Sequence, residues 1–264
     1  MKLISLNTWG GKKREPLMGF LKEHAPTTDI FCFQEIPHTA AGDRDKAVQE
    51  FGDTWFEDLQ KALPDFEGYF DDTHVGFNQR QVDFELLFGN AMFVRKGIEV
   101  VEVGHSFVYR NRNEVDMAQL ANSNWFSLPR LIQHVKIRNT EGQETVVVNF
   151  HGMWHEGGKG DMPERIEQSQ KILQFMNKVP ERKILCGDFN LNIDNQSLSM
   201  LEIGMRNLIK EFGITTTRSK EHYPKIERMP YADYTLVSPD IEVTHFSVPD
   251  LPISDHLPMI LEFV

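Results

Sequence analysis

A recurring pattern, a short apolar run closed by a carboxylate, amide or imidazole, sets the tightest limit on what this chain can fold into. Such runs span Leu3 to Asn7, Ile30 to Gln34, Ala91 to Arg95, Glu99 to Phe107, Leu131 to Arg138, Thr145 to His151, Lys183 to Asp188, Ala232 to Val237, Glu242 to Val248 and Met259 to Phe263. They read as β-strands, several of them apolar on both faces. Pro16 to His24, Lys46 to Leu63 and Pro163 to Val179 instead carry apolar residues three and four apart, which predicts helices. Asp43 and Asp161 are placed to cap the last two. Thr140-Glu141-Gly142-Gln143 reads as a hairpin turn. Many strands, few helices and hairpin-like neighbours predict two packed sheets with helices outside. No repeat, low-complexity tract or long Pro/Gly/Ser linker interrupts the 264 residues, so a single domain over 1–264 is expected.

Composition narrows the partners. With 39 acidic against 28 basic residues the net charge is −11, which disfavours a protein that coats long polyanions through clustered Lys and Arg. Cutting a phosphate ester remains open if a metal supplies positive charge locally. No apolar run approaches the roughly 18 residues needed to span a bilayer, and the N-terminus passes directly into a strand, so neither an anchor nor a signal peptide is expected. Cys32 and Cys186 each sit in an apolar run and read as small hydrophobes, which fits a reducing, cytoplasmic setting.

The polar residues closing the strands hold the chemistry. Asn7, Glu35, His151, Asp188 and Asn190 stand at or just past strand ends, and Asp255-His256 precedes the last strand. Each has an ordinary explanation alone: a turn or cap for Asn7, a surface carboxylate before Pro37 for Glu35, a hydrogen-bonded structural imidazole for His151, an Asx turn for Asp188 and Asn190. Their recurrence at successive strand ends is harder to explain that way.

Together, Leu6-Asn7-Thr8-Trp9, Phe33-Gln34-Glu35, Asn149-Phe150-His151, Gly187-Asp188-Phe189-Asn190, Ala232-Asp233-Tyr234 and Ser254-Asp255-His256-Leu257-Pro258 resemble the motifs of the endonuclease/exonuclease/phosphatase superfamily. They run in that family's order from Asn7 to His256. The resemblance implies a four-layer α/β sandwich, two central mixed β-sheets flanked by helices, as in deoxyribonuclease I, with the active site at one edge where loops of both sheets meet. It also implies hydrolysis of a phosphate ester, most directly a phosphodiester in nucleic acid, by in-line attack of an oriented water. A lipid or sugar phosphate is the alternative substrate, and an inactive binding module with this fold is the rival from another class. That rival should have lost one of Glu35, Asp188, Asn190 or His256, and all are present.

A phosphate ester repels water's oxygen, so the site must neutralise the phosphate, aim the water and stabilise the leaving oxygen. A hard cation such as Mg²⁺, with Mn²⁺ as substitute, does much of this when held by one or two carboxylates. Glu35 is the first choice as ligand, and the resemblance adds Asp255 and Asn7. It gives Asp188 and Asn190 to the water and the phosphate, His256 to the scissile phosphate, Asp233 to the hydrogen bond that fixes His256, and His151 to a phosphate oxygen. Asp188 and Asn190 are two apart, so on extended backbone they share one side.

Two departures narrow the branch. The abasic-site endonucleases carry Tyr where His151 stands, so the chain resembles the deoxyribonuclease, sphingomyelinase and tyrosyl-DNA phosphodiesterase side more closely. Gly152-Met153 replaces the usual His-Leu, and the insertion His155 to Gly160 is individual, so substrate contacts cannot be carried across it. Arg130 and Trp154 are the candidate substrate contacts, by phosphate pairing and by stacking on a base. Trp9 and Trp125 could stack as well, while Lys159, Arg110 and Arg112 are loop charges of the kind usually solvated. A zinc site at His151 and His155 is disfavoured by Gly152, Gly157 and Gly158, and no serine-hydrolase elbow exists.

Overall fold

The computed structural model describes residues 1–39, 54–78, 80 and 81, 84–114, 128–180, 182–223 and 226–264. Trp125, Asp43 and the first part of the expected Lys46 to Leu63 helix lie outside them. The strands are β1 Lys2–Asn7, β2 Ile30–Thr39, β3 Phe66–Val75, β4 Phe77–Asn78, β5 Arg80–Gln81, β6 Leu86–Arg95, β7 Glu99–Tyr109, β8 Arg130–Arg138, β9 Glu144–His151, β10 Arg182–Asp188, β11 Arg206–Asn207, β12 Asp233–Val237, β13 Val243–Ser247 and β14 Met259–Phe263. The α-helices are α1 Arg14–His24, α2 Trp55–Ala62, α3 Pro163–Lys178, α4 Gln196–Leu201 and α5 Leu208–Glu211. One six-stranded sheet runs β13-β14-β1-β2-β6-β3, and a second runs β11-β12-β10-β9-β8-β7. Both are mixed: β1 with β2 and β9 with β10 are parallel, and every other pair in the two sheets is antiparallel.

Alternation along the strands builds four layers. In the first sheet Ile4, Leu6, Phe31, Phe33 and Phe93 point outward and pack with Leu17, Leu21, Trp55 and Leu59 of α1 and α2. Their neighbours Leu3, Ile30, Cys32, Met92 and Val94 point inward, into a core shared with the second sheet and its helices α3 to α5. Strands covered on both faces lose the polar alternation of a half-exposed strand, which is why the sequence shows continuous apolar runs. The expected sandwich is therefore the architecture found. Cys32 and Cys186 are buried and unpaired, and no helix among the described residues is long and apolar enough to cross a membrane.

The inter-sheet core also holds a polar bridge. Gln34 Nε2 donates to Asn149 Oδ1 at 2.6 Å, and Asn149 Nδ2 donates to the carbonyls of Phe33 and Ala91 and to Gln133 Oε1 at 3.0–3.3 Å. All three side chains are fully buried. The bridge joins the sheets directly beside the residues that end β2's apolar run and β9.

Some local expectations fail for identifiable reasons. Asp161 does not cap α3, whose start is Met162-Pro163 without a side-chain cap. Its carboxylate instead accepts from the Gln196 and Ser197 amides and the Ser197 hydroxyl, capping α4. The strand β3 escapes the sequence pattern because it is a half-buried edge strand, in which Asp71 and Asp72 keep access to water.

Candidate active site

Strand register brings the strand-end residues together. In the first sheet the parallel pairing of β1 with β2 sets Asn7 opposite Gln34, so Asn7 lies beside Glu35. In the second sheet β10 lies between β9 and β12, with Asp188 opposite His151 on one side and Asp233 on the other. Ser254 Oγ donates to the Asn7 carbonyl at 2.7 Å and ties the Asp255-His256 loop to the end of β1. The result is a cleft of about 440 Å³ lined by Glu35, His151, Asp188, Asn190, Asp255 and His256, together with Trp9, Arg130, Trp154, Lys159, Arg218 and Tyr223.

Backbone strain gathers here. Non-glycine residues with positive φ among those described are Trp9, Glu35, Arg110 and Asn190, and three of them line this cleft. Glu35 does not end β2 as expected: the strand continues to Thr39 through a bulge between Phe33 and Ile36, and the bulge turns the carboxylate into the cleft. Asn190 likewise meets Asp188 by a left-handed turn at φ 53°, not by extended alternation. Gly187 is required at φ 134°, where a Cβ would also stand 2.0 Å from the Phe150 carbonyl. At Gly152 a Cβ would meet the Phe189 carbonyl at 2.2 Å, so this close approach of the two strand-end loops admits only glycine.

Asn7 Nδ2 bridges the two sheets' carboxylates, donating to Glu35 Oε1 at 3.1 Å and to Asp188 Oδ2 at 3.0 Å. Asp188 also accepts from the Asn190 amide nitrogen at 3.0 Å and its side chain at 3.3 Å. Burial alone would raise its pKa, but His256, His151, Lys159 and Arg218 outweigh it and hold the carboxyl well below the usual range. Glu35 behaves oppositely. Burial and the nearby Asp255 charge raise its pKa, and the Asn7 hydrogen bond offsets only part of that.

The histidines also diverge. His256 Nδ1 faces both Asp233 oxygens at 2.8–2.9 Å, and its Nε2 lies 3.6 Å from Asp188. Burial and Arg218 push its pKa down, yet Asp233, Asp255 and Asp188 together raise it. His151, 3.7 Å from Asp188 and 4.0 Å from Glu35, is pushed down to about 3 by burial and the Arg130 charge, so it is neutral at physiological pH. Asp233 itself is positioned by Thr217, whose hydroxyl accepts from the Ala232 and Asp233 amides at 3.0 and 3.1 Å.

Two parts of the cleft offer oxygen or nitrogen donors to a divalent cation, and they differ in what else those donors bind. Asp188, Asp233 and His256 offer ligand atoms within 4.8 Å of one another. In that trio, however, Asp233 is committed to His256 and Asp188 to amide donors. Glu35 keeps 28 % of its side chain exposed and has no Lys or Arg ion pair among the described residues. A carboxylate raised by like charges is one that a cation would relieve. Asp255 lines the same cleft and is the source of part of that repulsion.

Arg130 and Trp154 both reach the cleft. Arg130 is buried, its Nε lacks a hydrogen-bond partner, and burial lowers its pKa to about 10, still cationic. Trp154 is 45 % exposed on the rim. Trp9 also lines the cleft rather than the core, with Lys12 over its ring. Arg112 is taken up by an ion pair with Asp72, and the His155 ring accepts from the Gly157 amide within a turn, which leaves the zinc reading without support.

Sequence reasoning missed Arg218 and Tyr223 and undervalued Lys159. Residues 217–219 pair like a short strand with 255–257, setting Arg218 against His256. Arg218 Nη1 contacts the His256 ring, and Nη2 donates to Asp255 Oδ2 at 3.2 Å. No local pattern around Thr216-Thr217-Arg218 announces this, since the pairing exists only in the folded chain.

The sequence profile of the Endonuclease/Exonuclease/phosphatase family matches residues 4–256. No curated protein matches the chain in sequence. Solved structures do match in shape. A family protein from Leptotrichia buccalis C-1013-b is 18 % identical with a TM-score of 0.72, the match covering 100 % of this chain and 99 % of that one. The mannosyl-6-phosphatase of Bacteroides thetaiotaomicron VPI-5482 is 18 % identical at 0.70, covering 100 % and 99 %. The catalytic domain of human Nocturnin, with a bound sulfate anion, is 15 % identical at 0.68, covering 100 % and 93 %. At such identities the likeness speaks for the fold.

Proposed function

The chain belongs to the endonuclease/exonuclease/phosphatase family, and from that premise we propose that its cleft hydrolyses a phosphate ester with the help of a divalent cation. One observation carries this reading: Glu35, Asp188, His151 and His256, far apart in sequence, share one cleft in which their pKa values are driven in opposite directions. Divergent pKa values among neighbouring groups are how a site assigns different roles to similar side chains.

Glu35, with Asp255 and Asn7 in support, holds the cation. When bound, Mg²⁺ or Mn²⁺ supplies a Lewis acid for the phosphate and leaving oxygens. Asp188, kept ionised, accepts a hydrogen bond from the attacking water and aims its lone pair. So weak a base orients the water better than it deprotonates it. Asn190 donates to a phosphate oxygen. His256, shifted toward its cationic form and fixed by Asp233, donates from Nε2 to the phosphate. His151, neutral, serves as a hydrogen-bond donor and not as the acid. Arg130 adds its free Nε–H to the phosphate. The water oxygen bonds to phosphorus, the bond to the leaving oxygen breaks, and one water proton ends on that oxygen.

A phosphodiester in nucleic acid is the second reading, and Trp9 and Trp154 on the rim favour it because a base can stack on either. The net charge of −11 weighs against a long polyanion footprint. Unpaired buried thiols at Cys32 and Cys186 suit the cytoplasm. A chromogenic phosphate ester should be cleaved with added Mg²⁺ or Mn²⁺ and spared in EDTA; full activity in chelator would remove the cation from the mechanism. A panel of single- and double-stranded DNA, RNA, sphingomyelin, inositol phosphates and a 5′-tyrosyl phosphodiester then ranks substrates. A mannosyl 6-phosphate joins it because one similar structure is a mannosyl-6-phosphatase.

A further inference from the structure

Two buried cations flank one aromatic ring at the side of the cleft. The Arg218 guanidinium stacks on Tyr223 at 3.8 Å from the ring centroid, and Lys159 Nζ lies 5.8 Å from the same centroid. Each side chain belongs to a residue only 6 % exposed, and all three residues line the cleft. Burying a charge is costly unless it is paired, so each should have its own counter-ion. Lys159 has none: its ammonium donates to the Tyr231 carbonyl at 2.6 Å, and no carboxylate lies within ion-pair distance among the described residues. Arg218 has one ion pair, with Asp255, and its Nε has no partner. Burial, and after it the Arg218 charge, push Lys159 down to about 7 against the opposing pull of Asp188, Asp233 and Asp255.

The insertion His155 to Gly160 supplies Lys159, and this loop is built to stay in place. Arg165, itself buried, donates to the carbonyls of Met153 and Gly158 at 3.1 and 3.0 Å, and Asn195 donates to the Lys159 carbonyl. The loop therefore holds the Lys159 side chain at a fixed place in the cleft wall.

We propose that Lys159, Arg218 and the ring of Tyr223 form an anion subsite that selects a terminal phosphate, a monoester in its dianionic form, over the singly charged phosphate of an internal diester. The proposal rests on the phosphoesterase reading of the cleft and sharpens its substrate class. A monoester carries a second ionisation near pH 6, so at neutrality it brings close to two charges to a cleft whose wall also holds Arg130. A diester brings one, and so offers Lys159 and Arg218 half the charge to pair with. Hydrolysis then balances as ROPO₃²⁻ plus water giving ROH and HPO₄²⁻.

Binding separates the two claims. Methyl phosphate and dimethyl phosphate are titrated calorimetrically into the protein in EDTA at about pH 6.5, where Lys159 is mostly protonated and the monoester mostly doubly ionised. Methyl phosphate should bind about tenfold tighter or better, the size of one charge-assisted hydrogen bond. Lys159→Met and Tyr223→Leu should remove most of that preference, and Lys159→Arg should restore it, with circular dichroism confirming that each variant is folded. Equal binding of the two esters by the wild type, or an undiminished preference in folded Lys159→Met, overturns the subsite. If methyl phosphate is preferred as expected but no chromogenic ester is cleaved with any divalent cation, the subsite stands and the catalytic reading falls.

Discussion

The two sheets contribute unlike halves to the cleft. From the first come Asn7, Glu35 and the loop that carries Asp255; Glu35 sits on a bulge at φ 58°, half-exposed and short of positive partners. From the second come His151, Asp188, Asn190 and Asp233, all buried, with Asp188 accepting from Asn7 and Asn190 and Asp233 from His256. His256 is attached to the first half by sequence and to the second by its hydrogen bonds to Asp233. A half with unrelieved negative charge is suited to a cation that comes and goes, and a half with satisfied hydrogen bonds is suited to aiming water and phosphate without rearrangement.

The sharpest way to break this division is to remove one residue from each half and read metal binding and turnover separately. Glu35→Gln should lower turnover about a thousandfold, the scale of losing a principal electrostatic stabiliser, and should weaken Mn²⁺ binding measured by titration calorimetry. His256→Ala should lower turnover at least about a hundredfold, the lower range for acid–base groups, with Mn²⁺ binding little changed. If His256→Ala weakened Mn²⁺ as much as Glu35→Gln, the halves would not be divided by role.

That division was only partly legible in the sequence. Each apolar run predicted as a strand is one: the central strands through burial on both faces, the edge strands β7 and β13 through β-branched residues in largely exposed backbone. The residues closing those runs do converge, since sheet register carries strand ends to a common edge. What sequence could not show is how they get there. Glu35 reaches the cleft by a bulge and Asn190 by a left-handed turn, and both depend on neighbours distant in the chain. Arg218 was invisible because it is recruited by pairing with residues 255–257. Lys159 looked like one more loop charge until burial made it costly.

Between the halves stands the Gln34–Asn149 bridge, one residue before Glu35 and two before His151. If it sets their spacing, Asn149→Leu should cost Gln34 Nε2 its shortest hydrogen bond and remove the Asn149 donor from Gln133 Oε1 and two carbonyls. A loss of about 3 kcal/mol is expected from such buried groups, roughly an 8 °C fall in Tm for a domain of this size. Thermal unfolding followed by circular dichroism checks this. An unchanged Tm would mean the sheets are held in register by apolar packing alone.

The smallest effect probes the loop that brings Trp154 and Lys159 to the second half. Asp161 ends it and caps α4 through three hydrogen bonds. What burial Asp161 has raises its pKa, but the Ser197 hydroxyl and the Ser197 and Gln196 amides outweigh this and hold it below the ordinary value. A carboxyl whose folded pKa lies below its unfolded one stabilises fully above the unfolded value, near about 3.9, and loses that contribution as pH falls through the folded value. Asp161→Ala should therefore cost about 1 kcal/mol in urea unfolding at neutral pH, the usual worth of such a cap. The gap from wild type should hold steady through mildly acidic buffers and narrow only in stronger acid. A gap that closed already near neutrality would assign the stabilisation to some other group, and no gap at all would show that the loop is anchored by Arg165 without help from the cap.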